Sequence, residues 1–183
     1  KKYRFTKIPI GVDLIKNDNI KENIIFKKID AIKYLKESDK YFDIILIKQT
    51  IHFFSKRKII TLLNLCKKRL NKKGVFLILS LKTKNNQIPS FKLMKKKLDA
   101  SLRKDEQILV LIKRNLKSFE KQKFTYKAVV KKNDYMKMIK NRFISCLITL
   151  SKKEIFEGIR EIKVKFKALI KFEDTLECII YRR

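Results

Sequence analysis

Apolar residues along this chain fall into two rhythms. Phe42-Asp43-Ile44-Ile45-Leu46-Ile47 and Val75-Phe76-Leu77-Ile78-Leu79 are continuous apolar runs, too short for a helix core. Runs of this kind read as strands buried on both faces, as in a parallel sheet. Between them, Ile59, Leu63, Cys66 and Leu70 recur at spacings of four, three and four, which makes one stripe of an amphipathic helix. Ser55 stands before that stripe as an N-cap. Basic residues crowd its last turns, where the helix dipole favours them. Asn71-Lys72-Lys73-Gly74 closes it, with Gly74 expected in a left-handed cap. Strand, helix, glycine turn and strand make a βαβ unit, so the two strands are expected to be parallel with a right-handed crossover.

The flanks continue the pattern more weakly. Residues 5–12 read as extended, with Pro9 confined to an edge position or a bulge. Residues 14–23 are polar and asparagine-rich, with at most one helical turn. Ile24-Ile25-Phe26 is a short strand, and residues 31–37 a short helix with Ile32 and Leu35 on one face. After a polar loop from Lys82 to Ser90, Phe91, Met94, Leu98 and Leu102 form a second helical stripe, which Leu109, Ile112 and Leu116 extend. Residues 124–130 read as a strand, and Asp134 as the cap of a helix carrying Met138 and Ile139. Ser151 and Glu154 have capping-box spacing ahead of Ile155, Ile159 and Ile162. Residues 168–172 and 176–181 are two last extended runs, split by Glu173-Asp174-Thr175. The second is expected to pair antiparallel at the sheet edge. No linker divides the chain, so residues 1–183 read as a single domain.

The 183 residues carry 48 Lys plus Arg against 18 Asp plus Glu, a formal net charge of +30. A field of that size attracts nucleic acid nonspecifically and opposes compaction at low salt. The lysines are spread along the whole sequence, however, and the abundance of Lys, Ile, Asn and Phe also suits an A/T-rich coding bias. No run approaches the roughly 20 apolar residues of a membrane span. Nor does the start carry a secretory signal, so an intracellular, cytoplasmic setting is expected, with organellar targeting left open. The three cysteines, Cys66, Cys146 and Cys178, are widely spaced and form no zinc pattern. They read as free thiols, and no metal site is expected.

Candidate chemistry gathers at the strand ends. Asp13 and Asp30 each follow a predicted strand, where a carboxylate accepts hydrogen bonds from ribose hydroxyls or an exocyclic amine. Such residues also serve simply as turn formers or N-caps. Gln49, His52 and Phe53 follow the central strand, on the side where open α/β folds bind ligands. His52 is the sole histidine and a weak catalytic candidate, with no partner legible in sequence. Phe53 and Phe54 suit a pocket lining or a core plug equally. Asp43 is expected to anchor the start of its strand.

Taken in order, these stretches resemble a class I S-adenosylmethionine-dependent methyltransferase of the small-molecule type. Gly11-Val12-Asp13 resembles the end of that family's second strand, and Ile29-Asp30-Ala31 the end of its third. Residues 41–54 resemble its fourth-strand motif with a trailing His-Phe, and residues 70–76 its turn into the fifth strand, here without the usual proline. The resemblance covers residues 8–80 best. It implies an α/β, Rossmann-like methyltransferase sheet, mostly parallel with an antiparallel edge strand. It further implies S-adenosyl-L-methionine as cofactor, contacted by Asp13, Asp30, Ala31 and Lys48, and a small-molecule acceptor near Gln49, His52 and Phe53. RNA or protein methylation, or a noncatalytic fragment that does not hold cofactor alone, are the alternatives. The family's first strand and glycine-rich loop have no counterpart ahead of Asp13. An N-terminally truncated, partial domain is therefore expected, with a gap in mid-sheet and exposed strand edges and apolar surface.

Overall fold

The computed structural model describes residues 7–15 and 23–183. The expected helical turn at residues 14–23 and the first residues of the 5–12 extended run lie outside these residues. Strand β1 (Ile10–Asp13) pairs in parallel with β2 (Ile25–Lys28), and the two form a sheet of their own. Helix α1 (Ala31–Glu37) leads into β3 (Phe42–Lys48). A 3-10 turn at Ile51–Phe53 precedes α2 (Lys56–Arg69), which returns the chain to β4 (Leu70–Leu81). Helix α3 (Lys92–Leu116), β5 (Glu120–Lys131), α4 (Lys132–Lys140), α5 (Lys152–Lys165) and β6 (Leu169–Arg182) complete the order.

The second sheet runs β3-β4-β6-β5. β3 and β4 are parallel, as the βαβ unit requires, while β6 is antiparallel to both of its neighbours. This is a Rossmann-like, mostly parallel sheet with one reversed strand near its rim. The reversed strand is inserted between β4 and β5, so β5 forms the outer edge. Lys121, Lys123 and Lys127 on β5 discourage further strand pairing there. The two expected terminal runs are one strand: residues 173–175 stay in register with Thr125, Tyr126 and Lys127, so the polar triplet passes through the ladder without a turn.

Two apolar clusters hold the layers together. In one, Ile59, Leu63 and Cys66 of α2 and Leu109, Ile112 and Leu116 of α3 pack on Phe76, Ile78 and Ile179 of the sheet. The other joins Met94, Leu98 and Leu102 of α3 to Tyr135 and Ile139 of α4, Ile155 and Ile162 of α5, and Ile170 of β6. The predicted stripes are the inward faces, and α3 is one continuous helix that serves both clusters. Ser55 caps α2, and Ser151 with Glu154 makes the expected capping box on α5. Asp134 is not a cap but lies in the first turn of α4, whose cap position is Lys131.

Two local expectations are corrected. The left-handed residue of the turn into β4 is Lys73 (φ 68°), not Gly74. Gly74 is needed for another reason: a Cβ there would lie 2.9 Å from the Asn71 carbonyl oxygen and 3.1 Å from that of Phe42. β3 is also not buried on both faces. Ile45 and Ile47 pack on the core, but Ile44 and Leu46 are each 54% exposed. The reason is positional: β3 is an edge of its sheet, and the β1–β2 pair does not hydrogen-bond to it.

Gly158 in α5 packs directly against the ring of Phe91, the cap position of α3. A Cβ there would lie 2.5 Å from the ring of Phe91, which is itself buried. Gly158→Ala should therefore destabilise the chain by about 1–3 kcal/mol, the usual range for overpacking. In urea titrations, combining it with Phe91→Leu should cost less than the sum of the two single changes. Strict additivity would show that this contact is not the cause.

Candidate functional site

A cavity of about 290 Å³ opens at the carboxyl ends of β3 and β4. It lies where three segments meet: the turn after β3, the end of β4, and the connection between α4 and α5. The middle of α3 closes its floor. The site is built by the β3–β4 register. Lys48 pairs with Leu79, and the Gln49 amide then donates to the Leu79 carbonyl at 2.8 Å. Gln49 next adopts a left-handed backbone (φ 53°), an uncommon state for a residue with a side chain. The chain thereby leaves the sheet, and the following 3-10 turn brings Ile51, His52 and Phe53 over the cavity.

Gln49, His52 and Phe53 are thus brought together on one cavity. His52 and Phe53 stack obliquely, with ring centroids 4.2 Å apart. Phe53 is 66% exposed and stands at the mouth, whereas Phe54 packs on the core. The two aromatics therefore divide the roles that the sequence left open. Lys48 is an exposed residue at the end of β3 and does not border the cavity.

Asp13, Asp30 and Ala31 lie on the other side of the sheet interruption and do not border the cavity either. Oδ1 of Asp13 accepts from the Ile15 amide at 3.1 Å, an Asx-type turn. Oδ1 of Asp30 accepts from the amides of Ile32 and Lys33 and caps α1. Both acids thus perform the ordinary structural task of their positions. Each keeps its second carboxylate oxygen without a hydrogen bond among the described residues. Asp43, expected to anchor the start of its own strand, accepts from Asn71 Nδ2 at 2.6 Å and so ties the start of β3 to the start of β4.

Five polar cavity residues were not named by the sequence reading: Ser80, Ser101, Asp105, Arg142 and Ser145. Ser80 occupies the inward face of β4 in line with Phe76 and Ile78, and its Oγ is buried without a hydrogen-bond partner. Asp105 falls within the apolar stripe of α3, three residues after Leu102 and four before Leu109. Both were detectable as polar residues where the apolar rhythm demands an apolar one. Arg142 (φ 54°) gave no such signal. Its Nη1 donates to the carbonyls of Leu147 and Ile148 and ties the α4–α5 connection into a loop.

The electrostatics are uneven. Burial raises the Asp105 carboxyl above its ordinary value, and the nearby His52 imidazole partly opposes the rise. His52 Nε2 is buried and also lacks a partner. Elsewhere, burial pushes the Cys66 thiol up to about 12 and the Cys146 thiol up to about 11, which leaves both as poor nucleophiles. No cluster of His, Cys, Asp and Glu able to hold a metal ion occurs among the described residues, and no described helix is long and apolar enough to cross a membrane.

No family model and no curated protein matches the chain. Among solved structures, it is similar to a SAM-dependent methyltransferase from Archaeoglobus fulgidus, with 20% identity and a TM-score of 0.48, covering 95% of this chain and 75% of that one. It is also similar to the plantazolicin methyltransferase BpumL in complex with a desmethylated plantazolicin analogue and SAH, with 15% identity and a TM-score of 0.45, covering 96% and 67%.

The Asp105 shift has a stability consequence. A raised carboxyl holds its proton more tightly in the folded than in the unfolded chain. Its contribution is therefore favourable at low pH and is lost as pH climbs from the ordinary value of 3.8 through the raised one. Asp105→Asn should abolish that loss. Urea midpoints of the variant relative to the parent should rise across this interval and stay higher at neutral pH. A difference independent of pH would contradict the assignment.

Proposed function

We propose that this chain is the larger part of a methyltransferase that uses S-adenosyl-L-methionine to methylate a small molecule. The observation that carries the reading is the cavity at the carboxyl ends of β3 and β4, mostly apolar with a few convergent polar groups. That is where a Rossmann-like sheet binds ligands, and it is the composition of a small-molecule site. On this reading Gln49, His52 and Phe53 contact the acceptor.

Asp13 and Asp30 fit the nucleoside end of the cofactor. They stand at or just after the ends of two adjacent parallel strands, each with a carboxylate oxygen uncommitted among the described residues. Asp13 would accept from the ribose hydroxyls and Asp30 from the adenine amine, with Ala31 beside the ring and Lys48 at the end of β3, across the sheet interruption. The methionine end has no matching glycine cradle among the described residues. The three glycines of the chain are Gly11 within β1, Gly74 before the paired stretch of β4, and Gly158 in α5. The separate β1–β2 sheet and the unpaired edge of β3 support a missing first strand with its glycine-rich loop. Bound there, the cofactor would supply a methyl group on a sulfonium, activated for in-line transfer. The task of the chain's own residues is then to orient the acceptor and exclude water, a role in which positioning outweighs any single base. The missing cradle favours a second reading, in which these residues alone form a noncatalytic unit that does not hold the cofactor.

Calorimetric titration with S-adenosylhomocysteine separates the two. Saturable binding that weakens about tenfold or more in Asp13→Ala, roughly the loss of one to two hydrogen bonds, supports the enzyme. A folded parent chain that takes up no ligand removes the cofactor reading and leaves the noncatalytic one.

A further inference from the structure

The cavity's chemistry narrows its ligand further. Two of its polar atoms, His52 Nε2 and Ser80 Oγ, are buried without partners among the described residues. Ser80 is only 6% exposed and cannot turn to solvent instead. Buried polar groups are normally paired, so these two are placed to meet atoms of something bound. Asp105 is the one acid on the wall, and it forms no ion pair or hydrogen bond with any described residue. That isolation stands out in a chain with 48 Lys and Arg. The one basic side chain on the wall, Arg142, has Nη1 committed to two backbone carbonyls. The rest of the lining is largely apolar, including Leu98, Leu102 and Ile108 beside Asp105 on α3, and Phe143.

We propose that this cavity binds a small, mostly apolar amine, its nitrogen held among Asp105, Ser80 Oγ and His52 Nε2. A carboxylate ligand would face Asp105 as a like charge. An alcohol has one proton to offer and leaves the acid without a counter-charge. An ammonium presents three donors to three acceptors, with His52 in the tautomer that carries its proton on Nδ1. The volume of about 290 Å³ equals roughly ten water molecules' share of liquid, enough for a single ring with a short arm. The inference rests on the cavity being the acceptor site when it casts the amine as methyl acceptor. The binding itself does not require the cofactor.

The test uses the 183-residue chain without cofactor and three probes that share a ring and differ in head group: benzylamine, benzyl alcohol and benzoate. His52 is the only histidine, so its imidazole gives one unambiguous set of NMR signals. Benzylamine should shift these signals saturably. Benzyl alcohol should bind about tenfold more weakly or worse, for want of an ionic hydrogen bond, and benzoate should not bind. Asp105→Asn should weaken benzylamine about tenfold or more and leave benzyl alcohol unchanged, and Ser80→Ala should weaken benzylamine less. Equal binding of benzoate, an unchanged benzylamine affinity in Asp105→Asn, or no His52 response to any probe would overturn the proposal. If Asp105→Asn fails to fold, Ser80→Ala decides: an unaltered benzylamine affinity there is also contrary. Benzylamine binding by a chain that ignores S-adenosylhomocysteine keeps the amine site and discards methyl transfer.

Discussion

Parallel pairing of β3 with β4 is the constraint on which the site depends. Its register is fixed at one end by the Asp43–Asn71 hydrogen bond and the close approach of Gly74 to Phe42, and at the other by the Gln49 amide on Leu79. Side chains alternate faces along a strand, so a slip of one residue would exchange Ile45 and Ile47 for Ile44 and Leu46 against the core. The same slip would displace the His52 turn that follows β3, while Ser80 keeps its face through the pairing of β4 with β6. Core packing and site geometry are therefore selected by one set of backbone hydrogen bonds.

The cavity is electrostatically unlike the rest of the molecule. Most of the surface is lysine-rich, and the five ion pairs among the described residues are all solvent-exposed, so they neutralise little of the net charge of +30. Within the cavity the balance is local: an isolated carboxylate, an imidazole, and a guanidinium engaged with carbonyls. The long-range field can draw anions to the outside, but Asp105 acts at contact distance, where screening is weakest. Attraction at the surface and selection in the cavity thus have opposite signs.

Much of this architecture was legible because it follows periodicity. The stripe Ile59, Leu63 and Cys66 is a helix face, although Leu70, read as its last member, instead opens β4, and the caps at Ser55 and Ser151 follow from hydrogen-bonding needs at helix starts. The site was half legible. Gln49, His52 and Phe53 were found because they trail a strand. Asp105 and Ser80 were missed because a polar residue at an inward position looks like a lapse in the rhythm until a cavity explains it. The burial of β3 was misjudged for a different reason. An apolar run records what a strand is suited to meet, and Ile44 and Leu46 meet no layer among the described residues. The polar Glu173-Asp174-Thr175 likewise resembled a break, because sequence does not reveal a long partner strand such as β5 holding it straight.

The insertion of β6 between β4 and β5 also sets an order of events. Neither β4 nor β5 pairs with the other. Each waits for β6, whose Leu169–Arg182 span follows both of them in sequence. Arg183 then closes the ladder, its amide donating to the Gly74 carbonyl across more than half the sequence. Contacts of such sequence separation form slowly and leave edges open meanwhile. A nascent chain stopped before Leu169 would hold the βαβ unit and the helices but no continuous second sheet. Arrival of β6, more than any local propensity, is the step that joins the second sheet.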